Sequence, residues 1–99
     1  MLLQNETPIR TMAREIKLNG RELGVMRTIG FGLGVSGAEI QERTNIEADD
    51  LCDVLNTLLD IGYVETPTMK EHVTLEEMPA ELFEINPSYS SDLKVAMRR

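Results

Sequence analysis

The sequence predicts an α+β fold in which three helices precede a pair of antiparallel strands and one more helix follows them. Helices are indicated by capping residues at fixed spacing and by apolar side chains at steps of three and four residues. Strands are indicated by two short β-prone runs, Tyr63–Glu65 and Leu82–Ile85, joined by a long proline-containing connection. The 99 residues are predicted to form one domain, with a loose segment at 1–8 and an appended helix at 87–99.

The first helix is predicted from a capping pattern at its N-terminus. Asn19 and Glu22 have the spacing of a capping box, in which each side chain bonds the other residue's backbone amide. The helix is expected to end in the glycine-rich stretch 30–34, because glycine readily adopts left-handed conformations. Before the helix, the alternation of apolar and polar residues over 16–18 fits either a short third strand or the tail of a turn.

The second and third helices follow without a long loop. The second is predicted over 37–43, with Ser36 and Glu39 at the positions of another capping box. The third is predicted over 48–61 from apolar residues that recur on one face, and Gly62 is placed to end it. These apolar residues are Leu51, Val54, Leu55, Leu58 and Ile61.

The last helix is predicted to begin at Asn86-Pro87, because proline is favoured at the first helical position. Its apolar side, which carries Tyr89, Leu93 and Met97, is expected to pack either on the first helix or on the second subunit of a homodimer. The predicted core consists of Leu23, Met26, Ile40, Ile46, Leu51, Leu55, Leu58, Tyr63 and Phe83.

Composition restricts the class of protein. Hydrophobic residues make up 41% and charged residues 27% of the chain, which is typical of a globular domain. A single cysteine permits no intramolecular disulfide. The N-terminus lacks the basic and apolar regions of a signal peptide, and no apolar run approaches the length of a membrane span. A soluble, cytoplasmic protein that does not enter the membrane is therefore expected.

Charge is distributed unevenly along the chain. Residues 1–35 contain five basic and three acidic residues, a net +2. Residues 36–86 contain two basic and thirteen acidic residues, a net −11. Residues 87–99 contain three basic residues and one acidic residue, a net +2. The middle of the chain is thus strongly acidic between mildly basic ends, which indicates that its surfaces differ in the partners they attract.

The order of these elements resembles the winged helix-turn-helix superfamily. The resemblance is carried by Val35 to Ile46, a short helix and turn, and by Leu51 to Glu65, a longer helix that leads through Gly62-Tyr63-Val64 into the strand pair. This stretch is similar to the core of small bacterial regulators of the MarR type, and with the first helix it covers residues 19–86. The resemblance implies a three-helix core with a two-stranded wing, in which the third helix enters the DNA major groove and the wing touches phosphates.

The predicted recognition surface departs from the chemistry that DNA requires. The third helix is expected to turn six residues outward, and none of them is basic. They are Ala48, Asp49, Cys52, Asp53, Asn56 and Thr57. The wing, residues 65–84, has six glutamates and one lysine. Since DNA binding depends on neutralising phosphate charge, this acidic surface predicts a protein partner instead.

Two functional interpretations follow, beside the plain one that acidic residues keep a small protein in solution. The leading one is a protein-interaction module of regulatory type that binds a basic partner or another copy of the chain. Its predicted contact residues are Asp49, Cys52, Asp53, Asn56, Thr57, Glu71 and Glu76. The alternative is a DNA-binding transcription regulator that uses basic residues outside the usual recognition surface. These residues, also the candidates for self-association, are Arg10, Arg14, Arg21, Arg27 and Arg98.

Enzyme activity is not predicted. With one histidine, no set of nucleophile, base and orienting group can be assembled, and no cofactor motif is found. Glu47 and Asp49 with their acidic neighbours lack the loop spacing of a calcium site, so no metal is predicted. Cys52 resembles the lone cysteine of some redox-sensing regulators, but its acidic neighbours should keep it protonated, which favours a passive thiol.

Overall fold

A computed structural model describes residues 16–98, which contain four α-helices and a three-stranded antiparallel sheet. The predicted α+β class is confirmed. The predicted loose segment at 1–8, together with Arg10 and Arg14, lies outside the described residues. The elements in chain order are α1 (Gly20–Ile29), β1 (Val35–Ser36), α2 (Gly37–Thr44), α3 (Ala48–Ile61), β2 (Val64–Glu65), β3 (Leu82–Ile85) and α4 (Ser90–Met97).

The N-terminus of α1 has the predicted capping box. Asn19 Oδ1 accepts a hydrogen bond from the Glu22 amide at 2.7 Å, and the Glu22 carboxylate accepts one from the Asn19 amide at 3.0 Å. Two amide donors that the helix itself leaves unpaired are satisfied in this way. The helix ends at Gly30, whose φ of 67° is a conformation that favours glycine.

The second capping box is only half formed. Ser36 Oγ accepts a hydrogen bond from the Glu39 amide at 3.2 Å, as predicted. The Glu39 carboxylate, however, contacts the Arg43 guanidinium one turn further along α2, so the prediction of a reciprocal bond was wrong. The charged partner at the i+4 position draws the carboxylate along the helix and away from the cap. Asn45 ends the helix in the left-handed conformation, with φ at 61°.

The sheet has the strand order β1-β3-β2, so β3 lies in the middle. Val35 is opposite Phe83, and Val64 is opposite Ile85. Of the two alternatives for 16–18, the strand was wrong, because these residues have no regular secondary structure; the third strand is β1, which pairs with β3. The two residues of β1 come directly before α2, which therefore starts at the edge of the sheet.

One apolar core joins the helices to the sheet. Six of the predicted core residues are buried: Met26, Ile40, Leu51, Leu55, Leu58 and Phe83. Ile46 and Tyr63 are partly buried and pack against this core. The prediction for Leu23 was wrong, since it is not among the described side chains that pack against this core, and α1 turns Val25, Met26 and Ile29 inward instead.

The C-terminal helix packs within the chain. A 3-10 turn at Pro87–Tyr89, capped by Asn86, precedes α4, where the sequence predicts a helix directly. Leu93 is fully buried, and α4 contacts α1, one of the two predicted arrangements. Tyr89 meets Tyr63 edge to face, with ring centroids 5.1 Å apart.

The long segment between β2 and β3, called here the connection 66–81, folds back onto the helices. Val73 and Met78 are buried in the core and anchor it. At its end the Gly37 amide donates to the Glu81 carbonyl at 3.0 Å, which ties the connection to the start of α2. This segment consequently covers part of the surface that the sequence leaves open beside α3.

Candidate protein-interaction surface

The exposed side of α3 carries four acidic residues and no basic one. The apolar residues Leu51, Leu55 and Leu58 are buried, so the opposite side of the helix faces solvent. We call this exposed surface the acidic face. It consists of Asp49, Asp50, Asp53, Thr57 and Asp60.

Three carboxylates crowd together where α3 begins. Oxygens of Glu47, Asp49 and Asp50 all lie within 4.8 Å of one another, and all three residues are exposed. The positive end of the helix dipole favours acids at this position. Arg21 approaches Asp50 at 3.9 Å, but both side chains are about half exposed, so the ion pair is weak and leaves most of the negative charge solvated.

Cys52 and Asn56 do not belong to the exposed surface, and the prediction that they face outward was wrong. The Asn56 amide donates to the Val73 carbonyl at 3.0 Å and accepts from the Val73 amide at 2.8 Å. Cys52 is buried, with its sulfur 3.5 Å from the same carbonyl. Both residues hold the connection 66–81 against α3. The paired amide satisfies two backbone groups that would otherwise be buried without partners.

The environment of Cys52 disfavours a reactive thiol. Burial raises the pKa of the Cys52 thiol, and the negative charge of Asp53 raises it further, while a hydrogen bond from Asn56 lowers it. The thiolate is the nucleophilic form, and it is therefore scarce near neutral pH. The position supports the passive thiol that the sequence favours.

Lys70 offsets part of the negative charge of the connection 66–81. Its ammonium lies 3.2 Å from the Glu81 carboxylate and 3.4 Å from that of Glu77. The Thr74 amide donates a hydrogen bond to Glu77 at 3.0 Å, and this bond together with Lys70 lowers the pKa of Glu77. Glu71 and Glu76 are exposed and add their charge to the surface.

A cleft of about 420 Å³ joins the C-terminal end of α3 to the start of the connection 66–81. Carboxylates from three elements line it, those of Asp60, Glu65 and Glu71, together with Lys70 and His72 of the connection. The aliphatic side chains of Leu59 and Met69 lie among them. The cleft therefore adds the carboxylates of Glu65 and Glu71 to those of the acidic face, with the positive charge of Lys70 beside them.

The structure places the predicted contact residues in two groups. Asp49, Asp53 and Thr57 lie on the acidic face, and Thr57 donates its hydroxyl hydrogen to the Asp53 carbonyl at 3.0 Å. Glu71 and Glu76 lie on the connection 66–81. Asp50 and Asp60 were missed as members of the acidic face. Asp60 stands three residues after Thr57, and extending the same helical spacing would have found it.

The structure describes three of the basic residues predicted for DNA binding or self-association, Arg21, Arg27 and Arg98. Arg21 pairs with Asp50, and Arg27 donates a hydrogen bond to the Met97 carbonyl at 3.0 Å. Arg98 is exposed at the end of α4. Arg10 and Arg14 fall outside the described residues.

Comparisons with known proteins found no protein family, no curated protein and no solved structure that matches this chain. Within residues 16–98, the helices are too short and too polar to cross a bilayer.

Proposed function

We propose that this protein is a non-enzymatic, cytoplasmic winged-helix module of regulatory type, which binds a basic protein partner or another copy of the chain through α3 and the wing. The observation that carries the proposal is the acidic face, where four exposed aspartates lie along one helix with no lysine or arginine among the helix residues. The proposed contacts are Asp49, Asp53, Thr57, Glu71 and Glu76.

The winged-helix part of the proposal is supported by the order of the elements. A short helix, a left-handed turn at Asn45 and a longer helix precede an antiparallel strand pair. In the superfamily that the sequence resembles, the longer helix and the strand pair form the binding surface. That surface is acidic here, so it attracts lysine and arginine side chains and repels phosphates.

The small free energy of a single exposed ion pair favours a contact in which several ion pairs form together. A single exposed ion pair contributes about 0.2–1 kcal/mol, which is too little for a stable complex. Six carboxylates, those of the four helix aspartates and of Glu65 and Glu71 in the adjoining cleft, can engage several cations of one basic segment together. The aliphatic cleft residues can cover the methylene stems of those side chains.

The test is fluorescence anisotropy with a labelled Lys-Ala repeat peptide, titrated with the protein at low salt. We expect binding that salt weakens, and no binding of a Glu-Ala repeat of the same length. The double variant Asp53→Asn, Asp60→Asn should weaken binding by about tenfold, because it removes two ion pairs of about 0.7 kcal/mol each. Its matched control, Glu39→Gln with Glu42→Gln, makes the same change in net charge on α2, outside α3 and the wing, and should retain most of the affinity.

Two results would contradict the proposal. Equal weakening by the two double variants would mean that only the net charge matters and that the acidic face is no site. Salt-sensitive binding of a labelled random DNA duplex, with no binding of the basic peptide, would favour the transcription-regulator alternative and direct attention to the arginines near the chain ends.

A further inference from the structure

An exposed group of apolar side chains lies at the opposite end of α1 from the Asn19 cap. The turn after α1 exposes Phe31 by 41% and Leu33 by 92%, and Leu82 of β3 is 44% exposed. A Cβ on Gly34 would lie 3.2 Å from Leu82 Cβ, so the turn packs directly against β3 at Leu82. Single exposed apolar residues are ordinary, but a group of three contributed by two elements is a candidate contact surface.

Basic side chains border this apolar group. The Lys94 ammonium lies 5.3 Å from the centre of the Phe31 ring, a cation–π contact. Arg98 stands one turn after Lys94 on the same side of α4, and both are exposed. Glu84, two residues after Leu82 on the same side of β3, limits the basic region there. We call the set Phe31, Leu33, Leu82, Lys94 and Arg98 the basic-apolar patch.

We propose that the basic-apolar patch of one copy binds the acidic face of a second copy, head to tail. The inference rests on the proposed function and names the second copy as an occupant of the acidic face. The two surfaces are complementary in charge, with Lys94 and Arg98 on one and four aspartates on the other. They also match in apolar character, because Ile61, beside Asp60 at the end of α3, is 46% exposed.

This arrangement has a consequence for assembly. A contact between two different surfaces leaves one free patch and one free acidic face on every pair of copies. Association therefore continues beyond the dimer, into open chains or closed rings. A twofold dimer, by contrast, would place the same surface of each copy at the contact and would stop at two.

The test uses two complementary variants and analytical ultracentrifugation over micromolar to millimolar concentrations, in about 0.1 M salt, where the repulsion between whole copies is screened. The patch variant, Leu33→Gln with Lys94→Gln, keeps the acidic face. The face variant, Asp53→Asn with Asp60→Asn, keeps the patch. All four positions are exposed, and circular dichroism and thermal melting verify that each variant is folded. Lys17→Gln, which removes an exposed lysine outside the patch, is the control for charge alone.

We expect the mass of the wild type and of Lys17→Gln to rise with concentration past that of a dimer. Each double variant alone should lower the association constant by about tenfold or more. Mixed in equal amounts, the two variants should form a heterodimer that grows no further, because only one intact pair of surfaces remains. A wild type that stays monomeric, a patch variant that associates like the wild type, or a mixture that stays monomeric would each overturn the inference.

The same variants separate this inference from the proposed function. The patch variant should bind the Lys-Ala peptide as the wild type does, because its acidic face is unchanged. If it binds the peptide while the mixture of variants stays monomeric, the acidic face has a basic partner but a second copy is not that partner. If the wild type does not bind the peptide, the proposed function itself is contradicted.

Discussion

At residue 37 the backbone of α2 approaches the connection 66–81 so closely that only glycine fits. A Cβ on Gly37 would lie 2.0 Å from the Met78 carbonyl oxygen and 2.6 Å from the Met78 sulfur. Gly24 in α1 is the opposite case, because a Cβ there would meet no atom within 4 Å. The lack of space should therefore determine the effect of a side chain at position 37, and helix propensity should determine it at position 24.

We predict that alanine has effects of opposite sign at the two positions. Gly37→Ala should lower the free energy of unfolding by about 1–3 kcal/mol or more, since the backbone of the connection must move. Gly24→Ala should raise it by about 0.5–1 kcal/mol, because alanine is the better helix former. Urea unfolding followed by circular dichroism measures both. Destabilisation of similar size in the two variants would contradict the close approach at Gly37.

The helix face on which Asn56 lies could be predicted from the sequence, but its hydrogen-bond partner could not. The spacing of α3 places Asn56 on the side away from Leu51 and Leu58, which is correct for the helix alone. Its partner, Val73, is 17 residues away and reaches it only because Val73 and Met78 are anchored in the core. No local pattern in the sequence indicates that the connection 66–81 folds back onto α3. The contacts of Asn56 and Cys52 with that connection could therefore not be predicted.

The three core helices were predictable because capping residues, apolar spacing and terminating glycines all lie within the helices or directly beside them. α3 begins and ends where the apolar spacing and Gly62 indicate, and α1 begins at the Asn19 box. Alternation over 16–18 left a short strand and the tail of a turn open there, whereas β1 is defined by pairing with a strand about 50 residues later in the chain. β2 and β3 were predictable from their own β-prone residues, but no local signal indicated that β1 would pair with β3.

The connection 66–81 has an ionic contact whose pH dependence can be derived. The pKa of Glu77 is lowered from its ordinary value of 4.5, mainly by the hydrogen bond from the Thr74 amide and then by Lys70. The pKa of Lys70 is raised from 10.5, mainly by its hydrogen bond with Glu81. A lowered acid pKa stabilises the fold above 4.5, and that stabilisation is lost as the pH falls through the lowered value. A raised lysine pKa stabilises it below 10.5, with loss as the pH rises through the raised value.

We therefore predict that Glu77→Gln reduces the acid sensitivity of the fold. The difference in Tm between pH 6 and pH 3 should be smaller for Glu77→Gln than for the wild type, because one carboxylate that favours the folded state no longer titrates. Glu76→Gln, an exposed neighbour with the same change in charge, should retain the wild-type difference. Differential scanning calorimetry at the two pH values gives the comparison. An unchanged difference in Glu77→Gln would show that this contact contributes nothing to stability.

In self-association, the net negative charge of each copy opposes the attraction between opposite charges at the contact. The chain carries −7, so two copies repel, by roughly 7 kcal/mol at about 30 Å in water without salt. An opposite pair at a contact distance of about 4 Å gains only about 1 kcal/mol in water. A few such pairs cannot overcome the unscreened repulsion. The salt concentration determines which of the two is larger. Salt screens the long-range repulsion between whole copies before it screens the short-range attraction of the ion pairs.

We predict that head-to-tail association passes through a maximum as salt increases. Near 0.01 M salt the Debye length is about 30 Å, and repulsion between whole copies should keep the wild type monomeric. Near 0.1 M it is about 10 Å, which suppresses that repulsion but leaves contacts at about 4 Å, and association should be strongest. Near 1 M it is about 3 Å, and association should weaken again as the ion pairs are screened.

Sedimentation velocity across this salt series, at one protein concentration, measures the effect. The patch variant Leu33→Gln with Lys94→Gln serves as the control and should show little association at any salt concentration. A steady rise in association with salt would indicate a purely apolar contact, in which the aspartates of α3 have no part. A steady fall from the lowest salt would mean that opposite charges dominate even against a net charge of −7, as expected only if basic residues beyond Lys94 and Arg98 join the contact.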